Sequence, residues 1–565
     1  MNKQTIRLLV TAAIGLSFAT GCTSNNSGPV DGAAPVTPGP PPAVTSANNE
    51  FLQQKSFDPW ILTTTDPAGA IPAYSATGGV GITYGRDGSP IGFIKAGDYV
   101  NGNINLTGAK TISPVSGTGY KQTLDMRTGT LTTTGVGSAP KVQQAGSWPA
   151  LWKAADIEIA GDPEAQQATR ANLFYLLSSG APNTSNSIPP MGLSSNIYAG
   201  HIFWDAEVWM FPALIAQHPD YALSLVNYRF ERLAQAKKNA VQHHRKGAEY
   251  PWESADTGKE VAPEEFAKER HITADVAFAA WQYYLWTGDK EYLRTKGYPL
   301  LEATAEYWLS RVRKTADRAY HVAQVIGPDE TAGVVDDDAW TMGVVEYNLR
   351  AAAAAAVELG EPGVPKWLEI ANHLAPVYNA KEKRYVEYAN APANLMAKQA
   401  NTQMLIYPLD MAMDETVAAN TLDYCLAHTI KVGPAMTASI DAIVAAKLGR
   451  AQQSLDLFRD SYRPFMRSGL AAFSEKRTAN RVYFCTGMGG SLQSVLYGFG
   501  GLNVSWRERA GKGTRIAADG DIALYANPHL PPGWTGLTLR GVRFHGQTYT
   551  ISITPGNKVA VTKGT

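Results

Sequence analysis

The sequence predicts a mainly α protein: a long helical domain between two small β domains. Three observations carry this. Apolar runs at helical spacing, several closed by glycine, fill the middle of the chain; short runs broken by turn residues precede them; longer alternating runs follow. A chain of 565 residues is long enough for such a body with a large core. Lysine plus arginine equals aspartate plus glutamate at 50 each, without a long basic run, so nothing points to a nucleic-acid partner and a neutral substrate is expected. Thirteen tryptophans and 26 tyrosines offer faces on which sugar rings stack, although most must be core.

The N-terminus carries Lys3 and Arg7, an apolar run from Leu8 to Ala19, and then Thr20-Gly21-Cys22. The run is too short to span a membrane and reads as a secretory signal over residues 1–22. Small residues before a cysteine resemble a bacterial lipoprotein signal, which implies lipidation of Cys22 and a membrane partner through that anchor. An ordinary signal with an incidental cysteine is the alternative. Thr23 follows the cysteine where an aspartate would signal retention at an inner membrane, so an outer-membrane lipoprotein is expected. Residues 23–50 are rich in Pro, Gly, Ser, Asn and Ala, and read as an extended tether. Only Cys425 and Cys485 remain in the mature body, which excludes a disulfide framework and leaves their pairing open.

Residues 51–145 form the first β domain, with strands expected at Gly79 to Tyr84, Ile91 to Ile94, Leu124 to Met126 and Leu131 to Thr134. Residues 146–500 are expected to be helical. Leu223, Val226, Phe230 and Leu233 follow the start signal His218-Pro219-Asp220; Thr273 to Trp286, Val344 to Leu359 and Ser439 to Leu448 are closed by Gly288, Gly360 and Gly449. Ten or more helices without intervening strands rule out a βα alternation and fit paired helices in a ring or bundle. Residues 501–565 alternate at Leu537, Leu539, Val542, Phe544, Tyr549, Ile551 and Ile553, with a Gly556-Asn557 turn, and form a small sheet.

Chemistry concentrates between Ile326 and Thr341, where Asp329, Glu330, Asp336, Asp337 and Asp338 fall within ten positions. Gly327-Pro328 imposes a turn that presents Asp329 and Glu330 at a loop tip. A carboxyl held against apolar walls can keep a proton and donate it, which glycosidic cleavage requires; a solvated turn is the plain alternative. Trp204-Asp205, Trp252-Glu253 and Lys398-Gln399 add stacking faces, carboxylates and an amide suited to sugar hydroxyls. Each alone is equally a helix anchor or a solvated loop. Glycines 487, 489 and 490 suit an anion nest or close-packing turns; Glu475 just upstream would repel phosphate and favours turns. None of these pieces calls for a metal or a cofactor.

Together, Ile157 to Asp162, Gly200 to Pro212, Pro251 to Ser254, Glu269 to Tyr284, Ile326 to Glu330, Lys398 to Ala400 and Gly487 to Leu502 resemble glycoside hydrolase family 65, the inverting α-glucoside hydrolases and phosphorylases. The resemblance implies an (α/α)6 barrel with the site in its mouth. It makes Glu330 the general acid and places Trp204, Asp205, Lys398 and Gln399 around the glucosyl unit, with Trp252 and Glu253 on the acceptor side. Two departures stand out: Thr331-Ala332 replaces the usual Tyr-His, and Asp337-Asp338 replaces Asn-Asn. The N-terminal β domain is also shorter than the family's sandwich.

Three functions compete. In a hydrolase, Glu330 protonates the leaving oxygen while Glu475 activates water, the two carboxyls standing about 6.5–9.5 Å apart. In a phosphorylase, phosphate replaces water and no base is needed; the family's phosphate loop carries His and Ser or Thr where this chain has Phe473-Ser474-Glu475. The third reading is a catalytically dead lipoprotein that captures oligosaccharide. Glu475 favours the hydrolase, acting on a small α-glucosyl oligosaccharide, and resemblance in its region favours α-1,2-linked glucose.

Overall fold

The computed structural model describes residues 49–564 apart from 138, 145, 317 and 318. The expected signal, Cys22 and most of the expected tether lie outside the described residues. Asn49 and Glu50, expected at the tether's end, are instead packed into the body. Asn49 Nδ2 donates to the Arg463 carbonyl at 3.0 Å, and the Glu50 carboxylate accepts from Thr64 Oγ1 at 2.8 Å and the Gly469 amide at 2.7 Å.

Two four-stranded antiparallel sheets form the N-terminal region. One is ordered Ile61–Thr64, Lys121–Asp125, Thr130–Thr134, Lys141–Gln144; the other Ala73–Thr77, Val80–Tyr84, Pro90–Val100, Asn103–Thr107. Val100 pairs with Asn103, so Asn101-Gly102 is a two-residue turn, and both residues adopt positive φ (53° and 81°) as a turn matched to strand twist requires. The second sheet lies on the helical region through Tyr74, whose ring packs on Tyr175 and Tyr483.

The middle of the chain is helical, and its inner segments explain why the apolar runs there are so long. Residues 205–215, Ile272–Thr287, Ala339–Leu359, the short Thr402–Leu405 turn, Thr437–Lys447 and residues 485–499 each pack against the next, and the last packs against the first. Ile272–Thr287 is buried on nearly every face, as a helix walled in by neighbours must be. Outer helices cover this ring: Pro163–Ser178, Pro219–Glu231, Tyr298–Arg311, Pro365–Ala371, Glu415–His428 and Ala451–Tyr462. The expected glycine stops hold, with Gly288, Gly360 and Gly449 left-handed at φ 64°, 69° and 70°.

Two expectations need correction. The glycines near 487 do not make turns; they lie inside the Cys485–Gln493 helix, where a side chain at Gly489 would stand 2.5 Å from the Trp209 carbonyl. Glycine there lets two inner segments approach closely. The helical region also contains strands. Three two-residue hairpins decorate it, and Asp156–Ala160 is a full strand paired antiparallel with Gly536–Phe544. The C-terminal sheet, ordered Lys558–Lys563, Gln547–Thr554, Gly536–Phe544, Asp156–Ala160, thus borrows its edge strand from between the Trp148–Ala154 and Pro163–Ser178 helices. Its broken alternation has a cause: a bulge between Arg540 and Val542 shifts the inward positions by one. Cys425 and Cys485 are both free and buried.

Candidate active site

Residues chosen from the sequence collect where the inner segments begin. The acid loop is closed by reciprocal bonds between Val325 and Val335, at 3.0 and 2.8 Å. Asp329 does not stand at a tip as expected. It is 2% exposed and caps the Glu330–Ala332 turn, accepting through Oδ1 from Thr331 N at 3.2 Å, Thr331 Oγ1 at 2.5 Å and Lys398 N at 3.1 Å. Asp329 therefore fixes the loop and leaves its partly exposed neighbour, Glu330, facing the site. Lys398 and Gln399 are pinned to the same loop: the Lys398 ammonium pairs with Glu330 Oε2, and Gln399 Nε2 donates to the Pro328 carbonyl at 2.6 Å. Burial disfavours that ammonium, but Glu330, Glu269 and Glu475 outweigh it and hold its pKa above the usual lysine value. Asp337 and Asp338 serve structure. Asp337 accepts from His321 at 2.7 Å, and Asp338 caps Ala339–Leu359 while bonding Asn401 at 2.7 Å.

Glu475 is held by groups that sequence reading missed. Tyr198 Oη lies 2.9 Å from both of its oxygens, and Arg481 Nη1 donates to Tyr198 Oη at 3.0 Å and to Glu475 Oε2 at 3.4 Å. Burial, with Glu475 alongside, keeps the phenol far above its ordinary pKa, so Tyr198 remains a donor. Tyr198, Ala199 and Gly200 run consecutively in the left-handed region (φ 56°, 53° and 68°), the two side-chain-bearing residues under strain. This turn delivers Tyr198 to one side and the Trp204-Asp205 segment to the other.

Asp205 is 7% exposed and accepts from Thr486 Oγ1 at 2.5 Å; burial pushes its pKa up to about 7, with Glu475 and Glu207 adding to the shift. Trp204 is buried edge-on against Trp209 and His271 and tilted against Trp252 and Trp340. Glu253 lies beside Trp252, with Oε2 2.7 Å from His201 Nδ1. A second missed group lies beneath. Glu269 is 1% exposed and neither carboxyl oxygen has a hydrogen-bond partner among the described residues. Burial pushes its pKa well above the carboxylate range, against the pull of His271, whose Nε2 stands 3.7 Å from Glu269 Oε2. His271 is itself fixed by Asp275 at 2.7 Å. Burial works against a charged ring, yet Asp275 outweighs it and raises the imidazole to about 10. The spacing Glu269-x-His271-x-x-x-Asp275 across a helix start was the signal that could have found this group.

A helical ring that brings acids, an ammonium and tryptophans to the starting ends of its inner segments has the make-up that suits one class of ligand, carbohydrates. The comparisons narrow it. The profile of the Glycosyl hydrolase family 65 central catalytic domain matches residues 170–390 and 367–491, and that of the family's C-terminal domain matches 519–564. The chain belongs to glycosyl hydrolase family 65. It is 38% identical over 409 residues to a kojibiose hydrolase of Mucilaginibacter mallensis, covering 72% of this chain and 58% of that protein. It is 34% identical over 431 residues to the protein-glucosylgalactosylhydroxylysine glucosidase of Gallus gallus, covering 74% and 59%. The chain thus spans less than two thirds of these relatives' length. Among solved structures, a putative kojibiose phosphorylase from human microbiome superposes with a TM-score of 0.68 at 14% identity, covering 90% of this chain and 96% of that one, a likeness of fold.

Proposed function

We propose that this chain is an inverting, exo-acting α-glucoside hydrolase that releases β-glucose from short α-glucosides, with α-1,2-linked glucose as its preferred substrate. The closed ring of inner helices and its outer cover are read as an (α/α)6 barrel. The observation that carries the reading is the placement of Glu475. A carboxylate clamped by Tyr198 and Arg481, within electrostatic reach of the same Lys398 ammonium that pairs with Glu330, is equipped to orient and deprotonate water.

In this reading Trp204, Asp205, Lys398 and Gln399 hold the glucosyl unit, while Trp252 and Glu253 face the sugar that leaves. Lys398 pairs with Glu330; a sugar hydroxyl that draws the ammonium away lets Glu330 take up a proton from solvent and pass it to the glycosidic oxygen. Water, its proton taken by Glu475, then attacks the opposite face, and the sugar configuration inverts. A phosphorylase would need phosphate where Glu475 already engages Tyr198 and Arg481, and one negative charge would oppose the other. The named activities of the two relatives, both hydrolases, support the same choice.

Lipidation at Cys22, with the enzyme tethered to an outer membrane through residues 23–48, is part of this reading and rests on the sequence. The test of function is incubation with α-1,1-, α-1,2-, α-1,3-, α-1,4- and α-1,6-glucobioses, with and without phosphate. Glucose release fastest from the α-1,2 isomer and indifferent to phosphate is expected; no release from any of them refutes the reading.

A further inference from the structure

His201 stands between two acceptors. Its Nδ1 lies 2.7 Å from Glu253 Oε2 and its Nε2 lies 3.0 Å from the carbonyl of Gly102, at the tip of the Pro90–Thr107 hairpin. A carboxylate and a carbonyl can only accept, so the ring satisfies both at once only with an N–H on each nitrogen. The hairpin tip is docked beside His201 by two further contacts. Tyr99 Oη donates to the Gly200 carbonyl at 2.6 Å, and Ile104 packs where Gly200 carries no side chain: a Cβ there would stand 2.4 Å from Ile104 Cγ2.

The main chain of the neighbouring loop does not depend on His201. The Glu260 carboxylate accepts from Trp252 N at 2.7 Å and Glu253 N at 3.0 Å, and Ser254 exchanges backbone bonds with Ile202 at 2.8 and 3.0 Å. What His201 sets is the direction of the Glu253 side chain, whose Oε1 makes no hydrogen bond among the described residues.

We propose that the Pro90–Thr107 hairpin of the N-terminal β region is a specificity element of the active site: through the Gly102 carbonyl and His201 it aims Glu253 at a hydroxyl of the departing sugar. His201 is a positioning residue and makes no contact with the reacting atoms. The proposal rests on the reading that Glu253 faces the leaving-group side, and it gives the N-terminal region a role in choosing the substrate. Without the relay, the Glu253 carboxylate samples several rotamers, and binding the second sugar must order it again.

The test compares α-1,2-glucobiose with α-glucosyl fluoride, which carries no second sugar, on the full chain. His201→Ala is expected to lower kcat/KM on the disaccharide about 10- to 100-fold, chiefly through KM, the size a lost charge-assisted hydrogen bond produces. Turnover of the fluoride should stay within about threefold. His201→Asn, which keeps a donor near the Nδ1 position, should recover part of the loss. Gly102→Ala provides a variant remote from the site. Its methyl meets no neighbour, but an L-residue is strained at φ 81°, so the carbonyl moves and the same selective loss should appear in smaller measure. The losses in His201→Ala and Glu253→Gln should not add in the double variant. Release of no glucose by the wild-type protein from either substrate would overturn the hydrolase reading and this one together. An active wild type whose His201→Ala variant loses equally on both substrates, or on neither, would overturn the hairpin's role alone.

Discussion

Asp205→Asn should separate stability from activity in a pH-dependent way. The side chain is 7% exposed, and burial raises its pKa from 3.8 to about 7. The folded protein therefore binds this proton more tightly than the unfolded chain. The stability this group contributes is complete below about pH 4 and is lost as pH rises through 7. A shift of about three units at roughly 1.4 kcal/mol each makes the charged form on the order of 4 kcal/mol less stable than the protonated one. Asparagine has nearly the same shape, can accept from Thr486 through its amide oxygen and carries no charge. For a body of this length, 1 kcal/mol corresponds to roughly 1 °C in Tm. Calorimetric scans from pH 4 to 8.5 should find the two proteins alike at the acid end and the variant higher by about 4 °C at pH 8. Above pH 7, where Asp205 is ionised, activity on every α-glucoside should fall by about two orders of magnitude, because a sugar hydroxyl is left without its charged acceptor. A Tm difference that is flat with pH, or that opens in the opposite direction, would refute the burial argument; unchanged activity would remove Asp205 from the site.

Three further outcomes follow from the same geometry. Glu330→Gln should slow disaccharide hydrolysis by about two orders of magnitude while sparing α-glucosyl fluoride far more, since fluoride departs with little need of a proton; equal losses on both would deny Glu330 the acid's role. Tyr198→Phe removes a donor to both oxygens of Glu475 and should lower kcat about 10- to 100-fold with KM and Tm nearly unchanged, whereas a loss confined to KM would make Tyr198 a binding group. Cys22→Ser expressed in a Gram-negative host should move the protein from the membrane fraction to the soluble one, and continued membrane fractionation would refute the lipid anchor.

The fold was legible wherever the signal is local. Gly288 and Gly360 stop helices because a left-handed residue can be read from glycine after an apolar run, and the Gly556-Asn557 turn follows from the same kind of rule. Asp156–Ala160 was not legible: five residues between two helices carry no period long enough to classify, and their strand partner lies more than 370 positions away. The glycines near 487 misled because density of glycine signals backbone proximity, and here that proximity is between helices.

Trp204, Asp205, Lys398, Gln399 and Glu330 were proposed from the family resemblance of the stretches that hold them, and Glu475 from its place upstream of the glycines; the structure brings Lys398 onto Glu330 and Gln399 onto the same loop. Asp329 could not be separated from Glu330, because which of two adjacent acids turns inward depends on Lys398 N, a bond to a residue 69 positions away. Tyr198 and His201 were missed for the same reason. Their roles arise from a left-handed turn and from partners 277 and 99 positions distant. Glu269 carries no mark in sequence beyond its spacing from His271 and Asp275.

The central claim is that Glu475 delivers water to the face opposite Glu330. Nuclear magnetic resonance of fresh product from α-1,2-glucobiose, recorded with and without phosphate before the anomers equilibrate, tests it most directly. The account predicts β-glucose as the first glucose signal, at a rate indifferent to phosphate and lost in Glu475→Gln. Initial α-glucose, or phosphate-dependent appearance of glucose 1-phosphate, would contradict it.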